Sequence, residues 1–133
     1  MKTSYSILYV DDDIDDLFLI SEAFGKFAHA LAVVHAENGV EGLKTLEKMQ
    51  ENLPCLVIID INMPIMDGLE TTAYLKKIKS AIKVIFFSSE DSTEFAPKGL
   101  ALGAEGFIAK DAPFAELNNM LLSVLSRPQQ GVA

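Results

Sequence analysis

Residues 5–18 read YSILYVDDDIDDLF: a nearly continuous apolar run, then five carboxylates in the six positions 11–16. A short run rich in Ile, Leu, Tyr and Val without polar alternation has the composition of a strand buried on both faces, as in parallel sheets covered by helices. Directly behind it Ile14, Leu17, Phe18, Ser21 and Phe24 recur at spacings of three and four, which is the period of a helix with one apolar stripe. The stretch is therefore a strand, an acidic junction and a helix, and the junction is a solvated turn, a cation site or a pair of acids that do chemistry.

The same alternation repeats down the chain. CLVII at 55–59 and IKVIFF at 82–87 are further buried strands, and LAVVH at 31–35 and GFIA at 106–109 are weaker ones of the same type. Between them, Val40, Leu43, Leu46 and Gln50 mark a second helix opened by Asn38 and Gly39, and a third runs from about Leu69 to Ile78. A last helix spans Phe114 to Leu125, with Leu117, Leu121 and Val124 in phase. Thr93 to Leu102 should be the fourth, but Pro97 and Gly99 sit inside it, and Pro is tolerated only in a first turn; that helix is expected to be short or to start late. Strand and helix alternating five times specify an α/β fold: an open parallel sheet with helices on both sides and right-handed crossovers.

Composition narrows the function. A chain of 133 residues fits one domain, here 1–126, with 127–133 (RPQQGVA) expected as a short flexible tail. Nineteen acidic against eleven basic residues give a formal charge of −8, which repels phosphate backbones and makes nucleic acid an unsuited partner. Apolar runs reach only four or five residues, far from the roughly 20 that span a bilayer, and the start lacks a secretory signal, so a cytoplasmic protein is expected with no membrane partner. Cys55 is the single cysteine; it excludes an intramolecular disulfide and reads as core.

In open parallel sheets ligands sit beyond the carboxyl ends of the strands. That edge receives Asp11, Asp12 and Asp13 after the first strand, Asp60 after the third, Ser88 and Ser89 after the fourth, and Lys110 after the fifth. Adjacent carboxylates within ~4–6 Å disfavour joint ionisation unless a counter-charge is present. Magnesium supplies one, taking one or two carboxylates and a carbonyl while leaving room for phosphate oxygens. With Lys110 as a second positive charge and Ser88 as a hydroxyl donor, the set suits phosphoryl transfer with Asp60 as the nucleophile. His29 and His35 are placed near the first connection and the second strand, away from this edge.

Other readings of the same residues compete. Asp11, Asp13, Asp15 and Glu22 stand at positions one, three, five and twelve of a calcium loop, but position six is Asp16 rather than Gly and a strand precedes it. Asp15 and Asp16 are explained by the dipole of a helix they begin, with Asp13 on the boundary, and Asp67 by the Asp-Gly turn before the third helix. Met63, Pro64 and Met66 shape a loop. The last helix is apolar enough, through Leu117, Met120, Leu121, Leu122 and Leu125, to serve a partner or a weak dimer as well as the core.

VDDD at 10–13, IIDINMPIMDG at 58–68, FFSSE at 86–90 and GAEGFIAKD at 103–111 together resemble, in order and spacing, the CheY-like receiver domain of bacterial two-component response regulators. The resemblance covers about residues 5–126. It implies a (βα)5 doubly wound, flavodoxin-like sheet of five parallel strands in the order 2-1-3-4-5. It further implies Asp60 as phosphoacceptor, Asp12 as a direct Mg2+ ligand, Asp11 as a partner acting through water, and the backbone carbonyl of Asn62 as another ligand. Ser88 would bond the phosphoryl group, Lys110 would pair with it, and Phe107 would change rotamer on activation. Asn62 and Glu90 would tune hydrolysis, and as polar residues they suggest a short-lived signal. The family commonly has Lys-Pro with a cis bond where this chain has Lys110-Asp111.

A stand-alone, non-enzymatic receiver is the expectation: it accepts a phosphoryl group from a sensor histidine kinase or histidine phosphotransfer protein and passes the signal to a downstream target by contact, or onward as a relay intermediate. A metal-dependent phosphatase on a similar sheet would need a cap and a second acid, and a receiver-like binder would not need the full acidic set.

Overall fold

The structure is a computed structural model describing residues 4–24, 30–49, 52–61, 63, 65–79, 81–89, 92–111, 115, 116, 119, 122 and 123. Strands and helices alternate: β1 (Ser4–Val10), α1 (Ile14–Phe24), β2 (Ala30–Ala36), α2 (Gly39–Lys48), β3 (Leu56–Ile59), α3 (Gly68–Ile78), β4 (Val84–Ser88), α4 (Ser92–Ala101) and β5 (Gly106–Ala109). The strands form one parallel sheet in the order β2-β1-β3-β4-β5, the flavodoxin-like arrangement.

The continuous apolarity of the central strands follows from burial on both faces. Side chains alternate between faces along a strand, and two cores result. Ile7 and Tyr9 join Leu56, Ile58, Ile85, Phe87 and Ile108 on one side, covered by Ile20, Leu17 and Leu19 of α1. Leu8 and Val10 join Val57, Ile59, Val84 and Phe86 on the other, with Leu46 of α2, Leu75 of α3 and Phe95 of α4. Cys55 lies in the first core, as composition suggested.

Helix starts are written in short polar signals. The Asn38 side chain accepts the Glu41 N–H at 2.9 Å and caps α2. Asp67 and Glu70 form a reciprocal capping box on α3, at 2.8 and 3.2 Å, so Asp67 is a cap as well as part of the turn. Asp13 settles on the helix side of its boundary: its Oδ1 accepts the Asp15 N–H at 2.9 Å and reaches that of Asp16 at 3.4 Å.

One expectation is corrected. α4 is neither short nor late; it runs ten residues with Pro97 inside. Its ring removes the hydrogen bond that would go to the Thr93 carbonyl, at a cost of about 3 kcal/mol, and tertiary packing offsets this. Phe95 packs on the second core, and Gly99 lies so close to Phe86 that a Cβ there would stand 2.4 Å from the ring. Of the expected last helix, residues 115, 116, 119, 122 and 123 are helical and Leu122 is exposed; its other positions, and the tail, lie outside the described residues. Among the described residues no helix is long and apolar enough to cross a membrane.

Candidate functional site

Register places the acids. Val10 pairs with Ile59 and the Asp60 N–H donates to the Val10 carbonyl at 2.9 Å, so Asp11 and Asp60 leave neighbouring strands at the same level. Ser88 pairs with Ala109, and the Lys110 N–H donates to the Ser88 carbonyl at 2.9 Å. Asp11, Asp60 and Ser88 are buried, and Asp12 is exposed.

Carboxylate oxygens of Asp11, Asp12 and Asp60 all lie within 4.8 Å of one another. The Lys110 ammonium enters this cluster from β5, with Nζ 2.5 Å from Asp16 Oδ2, 2.9 Å from Asp11 Oδ2 and 3.2 Å from Asp60 Oδ2. Three carboxylates thus meet one ammonium, and a fourth, Asp12, stands beside two of them. The excess negative charge and the all-oxygen donor set fit a hard divalent cation such as Mg2+, with Asp11, Asp12 and Asp60 as the residues able to hold it. Asn62 lies outside the described residues, as does Glu90.

Each ionisable group is set by its neighbours. Burial works to raise the Asp11 carboxyl, but the Tyr9 hydroxyl, donating at 2.5 Å, and the Lys110 ammonium hold it below the usual carboxylate range. Burial works to lower Lys110, and the bonds to Asp16 and Asp11 reverse it, raising the ammonium above its ordinary value. Tyr9 is held neutral, by burial first and by Asp11 second. Asp16 is raised by its partial burial, against the pull of Lys110 and with the Asp11 and Asp13 charges adding.

The loop after β3 is tightly held. The Gly68 N–H donates to the Ile61 carbonyl at 2.8 Å, and a Cβ on Gly68 would lie 2.5 Å from the Asp60 carbonyl oxygen, so only glycine lets α3 approach the Asp60 backbone this closely. Ile65, in the same loop, has φ 71° with its side chain 80% exposed.

A family model for the response regulator receiver domain matches residues 7–122. The chain belongs to this family. It is a receiver domain of two-component signalling. The transcriptional regulatory protein PrrA of Mycobacterium tuberculosis is 30% identical over 125 residues, which cover 94% of this chain and 52% of PrrA; the chain spans about half the length of that relative. The phosphorylated cyanobacterial phytochrome response regulator RcpA shares the fold with a TM-score of 0.85 and 24% identity, covering 96% of this chain and 99% of RcpA. So does a chain of the CheX-CheY-BeF3-Mg2+ complex of Borrelia burgdorferi, with a TM-score of 0.83 and 24% identity over 92% of this chain and 90% of that one.

In this receiver the expected residues Asp11, Asp12, Asp60 and Lys110 converge, with Ser88 on the strand next to Asp60. Phe107 is half-buried on β5 beside the second core. The Lys110-Asp111 bond is trans, since no described residue has a cis peptide, and Lys110 still reaches Asp60. The calcium loop does not form: Asp13 is spent on capping, and Asp15 and Glu22 are exposed and do not belong to the carboxylate cluster of Asp11, Asp12 and Asp60.

Two expectations fail here. Asp16 does more than start a helix, because it holds Lys110. His35 is not remote from the edge: its Nε2 is 2.7 Å from the Asp11 carbonyl oxygen, and its ring stacks on Tyr9 at 6.2 Å. His29 lies outside the described residues. Tyr9, within the apolar run of β1, also serves the site: it stands two residues before Asp11, hence on the same strand face, which is the signal in the sequence for the bond between them.

Proposed function

We propose that this receiver takes a phosphoryl group onto Asp60 from the phosphohistidine of a sensor histidine kinase or histidine phosphotransfer protein. The observation that carries this reading is the position of Asp60, buried between the Asp11 and Asp12 carboxylates and the Lys110 ammonium at 3.2 Å. An Asp60 carboxylate oxygen attacks phosphorus in line, the P–N bond breaks, and its electron pair returns to the imidazole nitrogen. The product is an acyl phosphate.

A Mg2+ ion held by Asp11, Asp12 and Asp60, with the Asn62 carbonyl as a further ligand, would neutralise charge on the phosphoryl oxygens. Lys110 pairs with one of those oxygens and Ser88 donates to another; such positioning and neutralisation account for most of the catalysis in phosphoryl transfer. Phe107 follows Ser88 and changes the surface seen by a downstream protein. Asn62 and Glu90 tune the attack of water that later releases phosphate. The exposed apolar side chains of Ile14 and Phe18, one turn apart on α1, and of Ile65 flank the same edge and suit contact with the protein donor. RcpA in its phosphorylated form and the Borrelia CheY complex with BeF3 and Mg2+ are consistent precedents in this fold.

Incubation with Mg2+ and phosphoramidate, followed by intact-mass measurement, tests the reading. One phosphoryl mass is expected, lost when EDTA removes the metal. No gain, or an equal gain without metal, contradicts it.

A further inference from the structure

We infer that Asp16 is a positioning residue of the phosphoryl site, acting through Lys110 and outside the acidic set that would hold the cation. The inference rests on the phosphoacceptor reading of Asp60 and extends it to a residue that reading does not use.

An ammonium has three N–H donors, and Lys110 Nζ has three carboxylate partners: Asp16 at 2.5 Å, Asp11 at 2.9 Å and Asp60 at 3.2 Å. These partners are not equivalent. Asp60 is the group that is modified, so a phosphoryl oxygen replaces its carboxylate at Lys110. The same Oδ2 of Asp11 that meets Lys110 already accepts the Tyr9 hydroxyl, and Asp11 belongs to the cation-sized cluster with Asp12 and Asp60. Asp16 alone is outside that cluster and uninvolved in the acyl phosphate. It stays on Lys110 whichever state Asp60 is in.

Its place in the fold suits the task. Asp16 is the third residue of α1, fixed by the Asp13 cap immediately before the helix, while Lys110 follows β5 on the turn after Ala109. The Lys110 side chain has four flexible bonds and crosses above the sheet edge. A carboxylate anchored on a capped helix turn restricts that freedom and leaves the remaining N–H groups aimed at Asp60. Its charge also keeps the ammonium at the site when a divalent cation enters.

The test is a double-mutant cycle of wild type, Asp16→Asn, Lys110→Met and the double variant. Fluoroberyllate binding in saturating Mg2+ is the phosphoryl-like readout, and Mg2+ binding alone by calorimetry is the control. Asp16→Asn is expected to weaken fluoroberyllate about ten-fold, the size of one charge-assisted hydrogen bond, and by less than about two-fold in the Lys110→Met background, where the coupling is absent. Equal losses in both backgrounds, or a loss in Mg2+ affinity as large as that for fluoroberyllate, would overturn the inference by showing that Asp16 acts only through its field. Tighter fluoroberyllate binding by Asp16→Asn would also overturn it, because Asp16 would then compete with the phosphoryl group for Lys110. Asp16→Ala, read the same way and checked by a cooperative thermal melt, must reproduce the pattern. If wild type binds no fluoroberyllate with Mg2+, the phosphoacceptor reading itself fails; if wild type binds and the cycle is additive, only the role of Asp16 fails.

Discussion

Replacing Lys110 by Met tests how far the acidic edge depends on one ammonium when no divalent cation is bound. Met keeps most of the side-chain volume and removes the charge. Asp11, Asp12 and Asp60 then face each other within 4.8 Å, where two like charges repel by roughly 3–4 kcal/mol at an effective dielectric of about 20. Asp11 is wholly buried and loses the Lys110 ammonium, its one cationic partner among the described residues, a change that typically destabilises by about 3–5 kcal/mol. For a chain of this size each kcal/mol moves Tm by roughly 3–5 °C, so the metal-free variant should melt about 10–20 °C below wild type. Mg2+ at one hundred times its dissociation constant should return about 2.7 kcal/mol. At one Mg2+ concentration common to both proteins the rise should be larger in the variant than in wild type, where Lys110 and the cation compete for the same oxygens and weaken Mg2+ binding. Melts by circular dichroism with EDTA and with Mg2+ measure all four values. A variant melting within about 2 °C of wild type, or an equal Mg2+ effect on both proteins, would refute the electrostatic account.

Gly68→Ala places a Cβ 2.5 Å from the Asp60 carbonyl oxygen and 2.7 Å from Ile61 Cα; these are backbone atoms, so α3 must shift, at a cost of about 1–3 kcal/mol, and phosphorylation should slow by up to about a hundred-fold. An unchanged Tm and rate would contradict the close approach. Tyr9 is held neutral well above its ordinary range, so the folded state retains a proton that the unfolded chain releases above about pH 10, and stability falls as pH rises past that point. Tyr9→Phe should be less stable at neutral pH but lose less stability between pH 9 and pH 11, a difference that melts over about that pH interval would show. Ile65→Asn relieves a β-branched residue at φ 71° with an exposed side chain and should stabilise by about 1 kcal/mol, read as a higher denaturation midpoint in urea; a lower midpoint would show that the loop depends on Ile65.

Most of the fold could be read from the sequence because the sheet is buried on both faces, which leaves Ile7–Val10, Leu56–Ile59 and Val84–Phe87 with no choice but apolar residues. The carboxyl-edge rule then placed Asp11, Asp12, Asp60 and Lys110 together without knowledge of strand order. What escaped was side-chain direction across elements. Asp16 and Lys110 are 94 positions apart, and a helix-start acid looks the same whether it faces solvent or an ammonium. His35 sits one residue before the end of β2, and its proximity to Asp11 depends on the register Tyr9↔His35, which local pattern does not reveal. Pro97 differs in kind: there local propensity loses to the contact of Gly99 and Phe95 with the core.

The most direct test of the central claim is to phosphorylate the protein with Mg2+ and phosphoramidate, reduce the product with borohydride, and map the peptides. An acyl phosphate on Asp60 is reduced to homoserine, so homoserine at position 60 and at no other position is the result predicted. An unreduced Asp60 alongside homoserine at Asp11 or Asp12, or a phosphorylated protein that yields none, would contradict the assignment.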